Sequence, residues 1–171
     1  MIGAMIADSA RLSVGYARRL LEDVPASQFS RFAQVNGEVV TSNHPAFILG
    51  HLSIYPCRIV RDLGGDASSI EPTARYEELF SPKATCQDDP DGGVYPTMGE
   101  VTERFFTAHD VAIEALLGAM DTVFTQENPN EAMRGRFGSM GSMHAFYMGG
   151  HIMIHMGQFS AWRRMTGLPP A

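Results

Sequence analysis

Apolar residues recur every three or four positions along most of this 171-residue chain, and no segment shows a convincing alternation of apolar and polar residues. The recurring pattern is typical of amphipathic helices, whereas alternation would indicate half-buried strands. Four long segments carry the helical pattern: about Met5 to Asp23, Ser42 or Asn43 to Gly64-Gly65, Thr97 to about Thr125, and about Ser139 to Thr166. We therefore predict an all-α fold, an antiparallel four-helix bundle that forms a single domain over residues 1–171.

Local signals mark the ends of these helices and one interruption. Thr97 followed by Glu100 is typical of a capping box at a helix start. Gly167 and the pair Pro169-Pro170 end the last helix. Pro56 lies inside the second helix, where it removes a backbone hydrogen bond, so we expect a kink or a break there.

Two connecting regions are less regular. Residues 66 to 96 form a long connection between the second and third helices, with a short helix expected from Ala74 to Phe80. A loop of this length is unusual in a compact domain and is often functional, so it could cross the bundle or cover the open end of a site. The segment from Phe29 to Val40 is ambiguous, because it could form another helical turn although Asn36-Gly37 is a turn signal.

Three histidines are the candidate metal ligands. His151 and His155 are four residues apart, which places them on one face of a helix, one turn apart. His51 belongs to a separate helical pattern. Two imidazoles from one helix and one from another predict a three-histidine site with open coordination positions, which suits a metal that acts on a substrate. His51 and His155 lie among apolar residues, where an unpaired imidazole is unfavourable and a shared metal would satisfy both.

Other residues near these histidines have competing interpretations. His44 and His144 each lie seven residues before a candidate ligand, about 10 Å along a helix, too far to share its coordination sphere. We favour polar positions near helix starts for both, over the lining of an access channel. His109 is expected on the polar face of the third helix. The side chain of Gln158 could form a hydrogen bond to a histidine that coordinates the metal, or it could lie on the helix surface. Gly149-Gly150 indicates tight packing, a π-bulge or room for a substrate.

Composition argues against several functional classes. The net charge of −6 disfavours an extended nucleic-acid interface, which usually needs a basic face. The N-terminal segment has no basic start, and Asp8 and Arg11 interrupt its apolar residues, so we expect neither a secretory signal nor a membrane span. Cys57 and Cys86 have no metal-binding spacing, and such sparse use of cysteine fits a cytoplasmic protein. A disulfide between the two stays open.

Several motifs together resemble a known family. They are Leu-Gly-His-Leu at Leu49 to Leu52, and His-x-x-x-His-x-Gly-Gln from His151 to Gln158. The segment Tyr76 to Phe80, an acidic loop and Tyr95-Pro96 add to the match, so that nearly the whole chain is covered. The chain resembles the DinB-like (DNA-damage-inducible) superfamily of helical bundles. The resemblance implies a long crossover between helices 2 and 3, a homodimer, and zinc or nickel held by the three candidate histidines.

The same resemblance implies a function. Characterised relatives include transferases and isomerases that use the low-molecular-weight thiols mycothiol or bacillithiol, and many members have no assigned activity. A metal on three neutral histidines can activate a bound thiol for transfer or a bound water for hydrolysis. Glu100, Glu103 and Glu114 would serve as a base only if the third helix faces the metal, so we rank thiol transfer above hydrolysis. A non-enzymatic stress-response module that binds a metal or small ligand, and a metal-free bundle, are the alternatives.

Overall fold

Helices make up most of the computed structural model, which describes residues 1–171. The long helices α1 and α5 pack against each other at its centre. In chain order the helices and strands are α1 (Ile2–Leu21), β1 (Ala33–Val35), β2 (Glu38–Val40), α2 (Pro45–Leu52), α3 (Pro56–Asp62), α4 (Ala74–Phe80), α5 (Met98–Gly118), α6 (Asp121–Phe124), α7 (Met140–Ala145), a π-helix (Phe146–Gly150) and α8 (His151–Met165). The prediction of a helical class is confirmed.

Helix α1 packs through small side chains. Its buried face includes Ala7, Ala10 and Ala17, whereas Leu12 is 67% exposed. Gly3 lies so close to α5 that an added Cβ would collide with the Leu116 carbonyl. Small residues therefore let α1 approach α5 closely, and α1 also contacts α8 and the π-helix.

The second predicted helix is broken, as Pro56 indicated. Helix α2 ends at Leu52, and Pro56 is the first residue of α3, a position where its missing N–H is not needed. Helix α2 begins at Pro45, slightly after the predicted start at Ser42 or Asn43. His44 caps α2 instead, because its Nδ1 accepts the backbone N–H of Phe47 at 3.2 Å.

The long connection lies beside α2. It contains α4 at the predicted residues, capped by Thr73, and α4 packs on α2. The buried carboxylate of Asp89 accepts backbone N–H groups from Gly93, Val94 and Tyr95, and these bonds fix the end of the loop before α5. The connection thus brings α4 against the helix that carries His51.

A small hairpin replaces the helical turn that we considered between Phe29 and Val40. Strands β1 and β2 pair antiparallel, with Ala33 opposite Val40. Asn36 and Gly37 both have positive φ, at 54° and 84°, as a tight two-residue hairpin turn requires. The Asn-Gly signal was therefore the correct one, and the prediction of no strand was wrong for these residues.

The last two predicted helices are also divided. The third ends at Gly118, and α6 follows as a separate turn, so it does not continue to Thr125. The capping box of Thr97 and Glu100 is present at its start. The fourth begins at the expected residue, with Ser139 as cap, but a π-helix interrupts it before His151. This irregularity is the π-bulge that Gly149-Gly150 suggested.

The buried apolar side chains form two clusters. The larger one, of 20 residues, includes Leu49, Phe80, Phe105 and Met156 and lies where α2, α4, α5 and α8 meet. The smaller one, of 14 residues, lies between α1, α3 and α5. None of the helices combines the length and the apolar character that crossing a membrane requires.

Candidate metal centre

The structure brings the three predicted ligands together. One ring nitrogen from each of His51, His151 and His155 lies within 4.8 Å of the other two. The ring centroids are 5.3 Å, 5.1 Å and 4.8 Å apart. Helix α8 supplies two rings one turn apart, and α2 packs against α8 to supply the third. The cluster is compatible with the binding of a metal ion.

Backbone and amide acceptors fix two of the rings. Nδ1–H of His51 donates to the Phe80 carbonyl oxygen at 2.8 Å. Nδ1–H of His155 donates to Gln158 Oε1 at 2.9 Å, and the same oxygen accepts Nδ2–H of Asn43 at 3.1 Å. In both rings this tautomer leaves the Nε2 lone pair for another partner. Such outer hydrogen bonds are typical of histidines that bind metals.

The third ring has no such anchor. His151 is held by aromatic contacts, with its centroid 4.7 Å from Tyr55, 5.5 Å from Phe146 and 5.6 Å from Tyr147. Its Nδ1 is buried and has no hydrogen-bond partner. Buried polar atoms without a partner are rare in folded proteins and call for an explanation such as a bound ion.

Burial keeps all three imidazoles neutral. It is the largest cause of the lowered pKa of His51 and of His155. The pKa of His151 falls to about 3, through burial first and then because a proton on His151 would repel one on His155 or His51. A histidine must lose its proton to coordinate a metal, so these rings are in the binding form at neutral pH.

The donor set fits a divalent transition metal. Three imidazoles leave at least one coordination position open, as in catalytic zinc sites. In a tetrahedral zinc site, ligand nitrogens lie about 3.3 Å apart, given zinc–nitrogen distances of about 2.0–2.1 Å. The three ring nitrogens, within 4.8 Å of one another, would have to approach each other to reach that spacing. Imidazole ligands suit zinc, nickel, copper and iron alike.

Two tyrosines complete the site and were missed in the sequence. The hydroxyl of Tyr55 donates to His51 Nε2 at 3.1 Å. Its ring stacks on that of Tyr147, with centroids 4.7 Å apart and planes 19° from parallel. Burial raises the pKa of Tyr55 to about 12, so the hydroxyl keeps its proton. The available signal was spacing, because Tyr55 lies four residues after His51.

A cavity of about 290 Å³ lies behind these tyrosines. Its lining includes Tyr55, Tyr147, Cys57, Arg58 and Arg61. Glu71 and Glu77 line the same cavity, and Arg61 forms an ion pair with Glu71. Two arginines and two glutamates thus leave the wall without net charge. Burial raises the pKa of the Cys57 thiol, so this residue does not supply a thiolate of its own.

The remaining histidines lie outside the cluster. His44 is a helix cap near a helix start, as favoured, and its Nε2–H donates to the Gln87 carbonyl at 2.9 Å. His144 is buried within α7, 3.1 Å from Asp62. The prediction that His109 lies on a polar face was wrong: it is 1% exposed and its Nδ1–H donates to the Phe105 carbonyl at 2.7 Å.

The carboxylates of α5 do not reach the histidines. Glu100 is part of the helix cap, where it accepts hydrogen bonds from Thr97. Glu103 is exposed at another surface cavity, and Glu114 is exposed. The face of α5 turned to the interior instead carries Phe105 and His109. None of the three candidate bases belongs to the cluster.

No protein-family model matches the chain, and no curated protein matches it. The resemblance to the DinB-like superfamily therefore stays a prediction that rests on the motifs.

Proposed function

We propose that this protein is a DinB-like metal-dependent transferase that uses a low-molecular-weight thiol of the mycothiol or bacillithiol type. The observation that carries the proposal is the convergence of His51, His151 and His155, with ring nitrogens within 4.8 Å of one another. We propose zinc or nickel as the ion, a homodimer as the assembly, and Gln158 as the residue that orients His155.

The arrangement of helices supports the family part of the proposal. If α2 with α3 counts as one broken helix, and α7 with α8 as another, these two join α1 and α5 to make four long segments. The connection that contains α4 is then the crossover between helices 2 and 3. Together these features support a four-helix bundle with its metal ligands on facing helices, a common place for such sites.

The chemistry of the cluster supports transfer to a thiol. A divalent ion on three neutral imidazoles lowers the pKa of a thiol or water that it binds. Thiol transfer needs little more from the protein, because the thiol itself becomes the nucleophile. Hydrolysis usually uses a base, and no carboxylate joins the three histidines.

The first experiment is elemental analysis of the protein purified without added metal. We expect about one equivalent of a transition metal, lost when His51, His151 or His155 is replaced by alanine, with helix content by circular dichroism largely unchanged. His44→Asn is the matched control, because it changes a buried histidine outside the cluster and should keep the metal. Full occupancy in His155→Ala would overturn the three-histidine assignment.

A second experiment distinguishes the possible functions of a loaded centre. The protein is incubated with an electrophile and bacillithiol or mycothiol, and the loss of free thiol is followed. Turnover that requires the thiol and the metal supports the transferase. Turnover of ester or amide substrates without thiol would favour a metal-dependent hydrolase instead. Binding of thiol without turnover would favour a non-enzymatic module.

A further inference from the structure

Tyr55 lies at the break between α2 and α3, and its side chain contacts the histidines. Tyr55 lies directly before Pro56, between the end of α2 and the start of α3, with φ −83° and ψ −35°. From there its hydroxyl is 3.1 Å from His51 Nε2, and its ring centroid is 4.7 Å from that of His151. The phenol therefore contacts two of the three candidate ligands.

A second irregularity holds that phenol in place. Tyr147 belongs to the π-helix, and its ring lies almost parallel to that of Tyr55 at 4.7 Å. Stacked aromatic pairs stabilise each other beyond the area that they bury. The position of the Tyr55 hydroxyl is thus set by the packing of its ring as well as by its hydrogen bond.

The hydrogen bond from Tyr55 uses the electron pair that a metal would need. Nδ1–H of His51 is committed to the Phe80 carbonyl, so only Nε2 has a free lone pair. This one pair can accept the Tyr55 proton or bind a metal, but not both. Metal binding at His51 would leave the Tyr55 hydroxyl beside the centre with a proton to donate.

The same phenol also forms part of a cavity wall. Tyr55 and Tyr147 form part of the wall of the 290 Å³ cavity, and Tyr55 contacts His51 on its other side. Tyr55 is therefore a side chain that this cavity and the histidine cluster share.

We propose that Tyr55 is a ligand-binding residue of the metal centre, whose hydroxyl donates a hydrogen bond to a thiolate or small anion held beside His51. The inference deepens the proposed function and rests on it, because it needs a metal on the three histidines. It assigns to Tyr55 the recognition of the negatively charged atom, and to Tyr147 only the support of the Tyr55 ring.

The test compares Tyr55→Phe with Tyr147→Phe, which each remove one hydroxyl and keep the stacked rings. All proteins are loaded with Co²⁺, and the binding of azide and of 2-mercaptoethanol is titrated through the visible absorption of the cobalt. We expect about 10-fold to 100-fold weaker binding of both probes in Tyr55→Phe, the effect of one lost hydrogen bond to a charged group. Tyr147→Phe should stay close to the wild type.

Cobalt affinity, measured in the same titrations, separates the other outcomes. We expect Tyr55→Phe to bind Co²⁺ at least as tightly as the wild type, because the competing hydrogen bond to His51 is removed. Cobalt binding weakened by 10-fold or more would make Tyr55 a metal ligand and overturn the donor assignment. Unchanged affinity for both probes would also overturn it. Failure of the wild type and both variants to bind cobalt would overturn the metal centre itself.

Discussion

His44 uses both of its ring nitrogens in a single protonation state. Nδ1 accepts the backbone N–H of Phe47 and so caps α2, while Nε2–H donates to the Gln87 carbonyl. A proton on Nδ1 would abolish the cap and place a charge among buried side chains. Burial accordingly lowers the pKa of His44 to about 4.

This arrangement predicts a loss of stability in mild acid. In the unfolded chain His44 takes up a proton near pH 6.5, whereas in the folded protein it stays neutral until about pH 4. The unfolded state therefore binds more protons within this window. The contribution of His44 to stability is complete above pH 6.5 and declines as the pH falls. The free energy of unfolding should drop by about 1.4 kcal/mol per pH unit from this residue alone.

Urea denaturation at pH 7, 6 and 5, with a chelator present, measures this slope. His44→Asn is the informative variant, because asparagine can still cap the helix but does not titrate. We expect a shallower slope in the variant. The pKa values of His109 and His151 are also lowered, so the free energy of unfolding of both proteins should still depend on pH. A variant with the wild-type slope would contradict the prediction.

At the scale of elements, Gly50 sets the distance between α2 and α4. A Cβ on Gly50 would overlap the buried ring of Phe80, the residue whose carbonyl anchors His51. We predict that Gly50→Ala lowers the free energy of unfolding by about 1–3 kcal/mol, because the ring must move within a packed core.

Gly157→Ala on α8 is the matched control for this change. No atom lies within 4 Å of the position of its Cβ, so alanine there should be neutral or should stabilise the helix by up to about 1 kcal/mol. Chemical denaturation of both variants at pH 7 gives the comparison. Equal stability of Gly50→Ala and the wild type would mean that Phe80 adjusts freely.

Features with a local physical cause could be predicted from the sequence. The break at Pro56 follows from a missing backbone N–H, and the cap at Thr97 from a reciprocal pair of hydrogen bonds. The approach of His151 and His155 follows from helix geometry. Strands β1 and β2 were missed, because three residues are too few to show alternation and only Asn36-Gly37 reported the turn.

Features that depend on tertiary packing could not be predicted in this way. The burial of His109 depends on which face of α5 meets α1 and α3, and its sequence neighbours include the charged Asp110. The contact of Tyr55 with His51 and Tyr147 depends on how two helix irregularities meet in space. Gln158 could be proposed as a partner of His155, but its own anchor, Asn43, lies 115 residues away.

The proposed metal links parts of the chain that are far apart in sequence. His51 and His151 are a hundred residues apart, so the unfolded chain offers no formed site. A ligand that binds only the folded state adds about 2.7 kcal/mol of stability when its concentration is 100 times its Kd. For a chain of this size we therefore predict that zinc raises the midpoint of thermal unfolding by about 5–11 °C.

Thermal unfolding followed by circular dichroism checks this shift. EDTA should reverse it, and His155→Ala should unfold at one temperature with or without zinc. A shift of the same size in His155→Ala would show that zinc stabilises the fold from some other place.

The π-helix has a consequence for how the last part of the chain can change. The wider turn of the π-helix holds one more residue than a regular helical turn. The side chains of α8 therefore point in other directions than they would if α7 continued as a regular helix. Helix α7 fits against Phe124, while α8 directs His151 and His155 towards α2. Helix α7 and helix α8 can thus each adapt to their own neighbours. Substitutions in α7 then need not change the direction in which His151 and His155 point.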